Sequence, residues 1–413
     1  MLRWSSQCSV AMVLVGWLTA VGARGDAFQT AANGMPILNS LSSAKGVAFL
    51  DFDGGVWQST ARAAYSLDAD PTTFNAAEQE DIYLAWRDIS THFAMFDINV
   101  TTVAPDKSVT PTAHVLITPS VSGGSANTNV FGFTDAAARG ANTASDARNR
   151  STGITHELGH ILGLGHQSVY DASGTRTASY RGADANNIAP IMGVDFAGKF
   201  SSWQQGFTGT VMTAQDDLAV ISATLIRVYN SPTFMNGTYT GDGFRPDEHG
   251  NTTSLATALA LAPTGSVADP PGLTRVTAST TGIIERHNDI DMFSLAWGGG
   301  DLNVTVEALQ SVAASPDYAS SLGMNLLLYN HLGQLVSQDL SSSLNDVLAT
   351  LSLTGLSAGT YYVAIESAGS YDDRGAYSVE LSGLTIIPEP TVLGLLSLSV
   401  LVVLRRRGGV RST

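Results

Sequence analysis

The sequence predicts an α+β domain followed by an all-β domain. Three observations carry this. At 413 residues the chain exceeds one typical domain. Between residues 45 and 228, strand-like apolar runs alternate with longer runs of helical periodicity. From Asn236 onward the helical periodicity stops, and short alternating runs sit between turns rich in Gly, Asp and Asn.

The elements follow in order. Residues 46–52 (GVAFLDF) read as a buried strand, ended by the turn Asp53-Gly54-Gly55. Residues 75–93 read as a helix: Asn75 and Glu78 fit a capping box, and Ile82, Trp86, Ile89 and Phe93 share one face. Residues 96–102 (FDINVTT) and 113–118 (AHVLIT) are the next strands. Residues 122–125 read as a flexible Gly/Ser loop and 129–134 as a short edge strand. A second helix runs from near Ser151 to about Leu162. Residues 190–193 form a turn, and 214–227 a closing helix with Asp216 and Asp217 suited to its first turn. Beyond it, runs at 292–296, 302–306, 325–329, 359–365 and 377–381 predict a β-sandwich.

A hydrophobic share of 44% is enough for a real core. The formal charge of -15 repels nucleic acid and anionic membrane surfaces, so neither is expected as a partner. The only cysteine is Cys8. It lies in a segment with a positive start at Arg3, an apolar run over 10–20 and a small-residue cleavage site at Val21-Gly22-Ala23, which reads as a signal peptide over 1–23. An N-terminal anchor is the alternative. Cleavage would leave a chain with no thiol to form a disulfide or to latch a metal. Residues 24–44 read as a loose leader.

At the other end, Pro388-Glu389-Pro390 precedes an apolar run over 391–404 and then Arg405, Arg406 and Arg407. The run is shorter than the ~20 residues a membrane span needs, and the arginines favour the cytoplasmic side. Residues 388–407 resemble the PEP-CTERM sorting tail of Gram-negative bacteria. The resemblance implies processing by an exosortase and association with an extracellular polysaccharide matrix. An ordinary tail anchor is the alternative.

The segment richest in chemistry is His156-Glu157-Leu158-Gly159-His160-Ile161-Leu162-Gly163-Leu164-Gly165-His166. Histidines four apart on a helix share one face and reach one cation. Imidazole suits Zn²⁺. Gly163 can take backbone angles closed to other residues, so the helix can stop and the chain can swing His166 round as a third ligand. Three ligands leave a fourth position for water, the mark of a catalytic site. Glu157 follows His156 directly and is placed as a general base.

This pattern resembles the metzincin clan of zinc endopeptidases. The resemblance implies a catalytic domain over 45–228 with a twisted mixed sheet and an active-site helix. It also implies a Met-turn, matched by Ala189-Pro190-Ile191-Met192-Gly193, with Met192 as an apolar floor under the histidines. Segments 49–54, 96–102 and 202–206 also look like those of secreted bacterial metzincins. Some members place a tyrosine two residues after that Met, where this chain has Val194; Tyr170 or Tyr180 would have to stand in. Residues 240–385 resemble the bacterial pre-peptidase C-terminal domain, through Asp289-Ile290-Asp291-Met292-Phe293, Leu326-Leu327-Leu328-Tyr329 before Gly333, and Ala358-Gly359-Thr360-Tyr361-Tyr362.

The remaining candidates are weaker. His92, His114, His249, His287 and His331 read as plain surface or core histidines. Asp51 and Asp53 end a strand or bind calcium. Asp242, Asp247, Asp289 and Asp291 lie in loops that are hydrated turns or a calcium site. The reading that follows is a secreted zinc endopeptidase acting on polypeptide. A catalytically inactive matrix-binding scaffold and a zinc amidase acting on cell-wall peptides are the competing expectations.

Overall fold

The computed structural model describes residues 28–386 apart from 69, 133–136, 141–146, 195–197, 199, 265–271, 310–321, 342–346, 370 and 372, with backbone only for 137–140 and 147–149. The segments read as a signal peptide (1–23, with Cys8), as the start of a leader and as a sorting tail (388–407) lie outside the described residues.

The N-terminal unit is built on a five-stranded sheet. Strand β1 (Gly46–Asp51) carries the hairpin β2 (Gly55–Trp57) and β3 (Thr60–Arg62) after it. Helix α1 (Ala76–His92) leads to β4 (Ile98–Thr101) and β5 (Thr112–Thr118). Then come β6 (Gly124–Ala126), β7 (Ala137–Gly140) and helix α2 (Ala147–Ile161). The sheet order is β4-β1-β5-β7-β6. All pairings are parallel except β6 on β7, so an antiparallel strand forms one edge. The capping box on α1 is formed as expected: the Asn75 side chain accepts from Ala77 and Glu78 N–H, and Glu78 accepts from Asn75 N–H.

Three expectations need correction here. Residues 124–126 are a strand rather than a loop. Residues 129–132, read as a strand, are a turn that caps α2: Asn129 N–H bonds to His160 O, and the Val130 and Phe131 N–H groups bond to Ile161 O. Carbonyls at a helix end lack the usual i+4 N–H, so the turn supplies donors to them. The segment read as a loose leader is, from residue 28 on, fastened to the fold. Met35 and Leu38 enter the core, and Leu38 N–H and Ser40 N–H bond to Thr102 and Val100 beside β4. It therefore runs along the edge of the sheet farthest from β6.

After α2 come short pairs: β8 (Val169–Tyr170) with β9 (Arg176–Ala178), β10 (Ile188–Pro190) with β11 (Phe200–Ser202), and β12 (Gln205–Thr208) with β13 (Thr213–Asp216). Helix α3 (Asp217–Tyr229) closes the unit. It starts later than expected, because 213–216 pair as β13 and Asp216 is the cap. One apolar cluster joins this sheet to all three helices, through Val115, Ile117, Ile89, Leu158 and Leu225 among others.

Among the described residues the C-terminal unit has the strands β14 (Thr257–Ala258), β15 (Ala262–Pro263), β16 (Thr274–Ile284), β17 (Ile290–Trp297), β18 (Gly300–Ala308), β19 (Met324–Asn330), β20 (Leu335–Asp339), β21 (Leu348–Leu356), β22 (Gly359–Ser367) and β23 (Gly375–Thr385). They form two sheets, ordered β14-β17-β22-β19-β20 and β15-β16-β23-β18-β21. Phe293, Leu326 and Val363 of one sheet and Val304, Leu351 and Val379 of the other share a single buried cluster, so the sheets pack face to face as expected. Each such side chain stabilises the fold by roughly 1.5–3 kcal/mol on burial. The two units touch through Phe244 stacked on Phe96 and through the Tyr371 hydroxyl, which donates to Asp216 and accepts from Leu218 N–H. No helix among the described residues is long and apolar enough to cross a membrane.

Candidate metal centre

Helix α2 places His156 and His160 one turn apart on the same face. It ends where Gly163 takes φ +106°, a left-handed angle that a side chain would strain. There the Gly163 and Leu164 N–H groups bond to His160 O and Gly159 O, closing the helix. The chain then reverses and brings His166 back. Nitrogens of His156, His160 and His166 lie within 4.8 Å of one another, and the Nε2 atoms of His160 and His166 are 3.0 Å apart. A tetrahedral ion with bonds of about 2.0–2.1 Å spaces its donors roughly 3.3 Å apart. The His160–His166 pair is close to that spacing, and His156 lies within reach of the same ion.

The proton positions agree. His156 Nδ1 lies 2.7 Å from Ile191 O and His160 Nδ1 lies 2.8 Å from Leu164 O. A carbonyl only accepts, so each Nδ1 carries the proton and each Nε2 keeps its lone pair. Burial lowers the pKa of His160. Burial, then the charges of His160 and Arg176, lower that of His166 to about 4. At neutral pH the His160 and His166 rings are therefore neutral imidazoles, as a metal ligand must be.

Residues distant in sequence hold the third histidine. Gln215 brackets Gly165, its Oε1 accepting from Gly165 N–H and its Nε2 donating to Gly165 O, each at 2.9 Å. Gln215 and Gln167 both donate to Asp217 Oδ1, and Gln204 N–H donates to Asp217 Oδ2. Asp217 is fully buried, and burial raises its pKa to about 6. It anchors the loop that carries His166, besides standing in the first turn of α3. Its position was legible in the sequence, but its anchoring role was not, because the glutamines that point at it are scattered.

Met192 is buried, its sulfur packed on Gly159 between the two helical histidines, and its carbonyl accepts from Gln167 N–H at 2.7 Å. Glu157 is buried, only 5% exposed. It lies against Gly124 of β6 so closely that a Cβ on Gly124 would overlap the carboxylate. The Gly/Ser stretch is thus an edge strand whose glycine makes room for Glu157.

The two tyrosines separate clearly. Tyr170 donates to Gly209 O at 2.6 Å. Tyr180 packs at a tilt against the histidine cluster, with its ring centroid 4.4 Å from that of His166 and 6.3 Å from that of His156. Val194 N–H bonds to Arg181 O, so the turn after Met192 is itself tied beside Tyr180. Of the other histidines, His114 pairs with Asp51 at 2.8 Å, and His249 bonds to Thr257 and Thr281 in the second unit. Neither joins the cluster.

No family model and no curated protein matches the chain. Solved structures give partial likenesses. A quarter of this chain (25%) aligns with 86% of the pre-peptidase C-terminal domain of a collagenase from Bacillus anthracis, at 13% identity and a TM-score of 0.18. A share of 31% aligns with 95% of PliG, a periplasmic inhibitor of g-type lysozyme from Aeromonas hydrophila, at 12% identity and 0.19. A share of 29% aligns with 75% of the CBM35 of Cellvibrio japonicus Abf62, at 16% and 0.13. TM-scores this low carry no argument about activity.

Proposed function

We propose that this chain is an exported zinc endopeptidase of metzincin type. The observation that carries the reading is the convergence of His156, His160 and His166, with Glu157 on the same helix, beside the sheet edge formed by β6. The mixed sheet, the turn at Gly163 and the buried Met192 support the same type. Among the described residues the donor set is three imidazoles, which suits an open catalytic position.

Zinc, when bound, lowers the pKa of water to about 7 and polarises a carbonyl. Glu157 takes the proton of the attacking water and returns it to the leaving amine. An extended polypeptide pairs with the unpaired edge of β6, which aligns the scissile bond beside Glu157. Tyr180 donates to the developing oxyanion in place of the residue at 194. Exosortase processing and attachment to an extracellular polysaccharide matrix rest on the sequence of 388–407 alone.

The purified chain incubated with a denatured protein and, separately, with murein separates the readings. Chelator-sensitive release of peptides from the denatured protein is expected, with little from murein. Release from murein alone would make the protein a cell-wall amidase. Release from neither, at full zinc occupancy, would make the fold an inactive scaffold.

A further inference from the structure

We propose that the second unit holds a calcium ion at the loop that joins it to the first, bound by Asp247, Glu285, Asp289 and Asp291. Carboxylate oxygens of Asp247, Asp289 and Asp291 lie within 4.8 Å of one another. Two separate stretches bring them together: the loop before β14, and the turn between β16 and β17 with the first residues of β17. Asn251 ties the stretches, its Oδ1 accepting from Ile290 N–H at 2.7 Å, and Met292 N–H bonds to Gly250 O. The individual carboxylates are also oriented. His249 N–H donates to Asp247 Oδ1, Glu285 N–H to Asp289 Oδ2, and the Tyr377 hydroxyl to Asp291 Oδ2.

The second observation is independent of the cluster itself. Glu285 is fully buried, and neither of its carboxylate oxygens has a hydrogen-bond partner. Asp291 is equally buried, and its Oδ1 has none. The Glu285 side chain lies against those of Glu248 and Asp289, carboxylate facing carboxylate. Proteins bury charges only when they are paired or bound to metal. Here burial and mutual repulsion hold Glu285 far above the usual carboxylate range and lift Asp291 to about 8. Among the described residues, the two nearby arginines are engaged elsewhere. Arg286 is spent on Asp242 through bonds of 2.8–3.1 Å, which removes Asp242 from the set read in the sequence. Arg245 approaches only the outer Glu248, at 3.7 Å.

A bound cation resolves the conflict, and the donors select it. The cluster offers oxygen alone, which suits a hard ion rather than zinc. Calcium accepts six to eight oxygens in irregular geometry, whereas Mg²⁺ demands a near-octahedral set and keeps its waters. Calcium here would fasten the joining loop to the head of β17. The proposal does not depend on the histidine centre.

The test uses the full chain, stripped of metal with a chelator, dialysed, and titrated with CaCl₂ by calorimetry and thermal unfolding. Binding of one calcium per chain with a rise in Tm is expected, and a much smaller rise with MgCl₂. Glu285→Gln and Asp291→Asn should each weaken binding at least about tenfold. Asp247→Asn, at an exposed position that leaves packing intact, should weaken it as well. His166→Ala should keep the full calcium response. No binding at about 10 mM calcium, above the 10⁻⁴–10⁻³ M range of extracellular calcium modules, would overturn the proposal. So would affinity unchanged in the three carboxylate variants, or binding lost in His166→Ala.

Discussion

Glu157→Gln keeps zinc and loses at least about 10²-fold in turnover, the lower end of what a general acid–base contributes. The amide fills the same space against Gly124 but cannot accept the proton. The loss should fall on kcat, with KM little changed, because β6 and the metal still hold the substrate. Gly124→Ala offers the same test from the other side: a methyl in the place now taken by the carboxylate must displace it. That variant should lose activity at full zinc occupancy too. Near-normal turnover of Glu157→Gln, with metal analysis showing full occupancy, would remove Glu157 from the mechanism.

His166→Ala weakens zinc binding by at least about 100-fold and abolishes hydrolysis at ordinary zinc concentrations. Losing one of three nitrogen donors exceeds the 10–100-fold cost of an outer-shell change. The fold should persist, because His166 is only half-buried and its loop is held by Gln215 and Asp217 rather than by the ring. Metal analysis after dialysis against a competing chelator checks this. Unchanged affinity would mean that another residue supplies the third ligand.

The parts of this architecture legible in the sequence were those with strong local causes. Asn75 and Glu78 mark the start of α1 because capping is a matter of a few neighbouring residues. Gly163 marks the end of α2 because the left-handed turn favours glycine. The histidine spacing places the ligands because one helix and one turn carry all three. What stayed hidden depends on distant pairing. Strand β6 is three residues of Gly, Ser and Ala with no apolar alternation; its register comes from β7. The turn at 129–132 looks like a strand until the end of α2 claims its N–H groups. Strand β16 is rich in Thr and Ser, and its alternation emerges only when one face is buried. Tyr180 is a lone aromatic in a polar stretch, and the ties of Arg181 to Gln167 and Val194 bring it to the histidines. Glu285, just after β16, carries no signal in the sequence. It meets Glu248 and Asp289 only because two stretches distant in sequence come together, which no local pattern announces.

X-ray absorption at the zinc edge tests the central claim most directly, because it counts the ligands of a catalytic against a structural site. The purified chain loaded with one equivalent of zinc should show three imidazole nitrogens at about 2.0–2.1 Å and one further oxygen at about 2.0–2.2 Å. His166→Ala should lose one of the nitrogens. A shell of four protein ligands, or an ion bound with fewer than three imidazoles in the unaltered chain, would contradict the account.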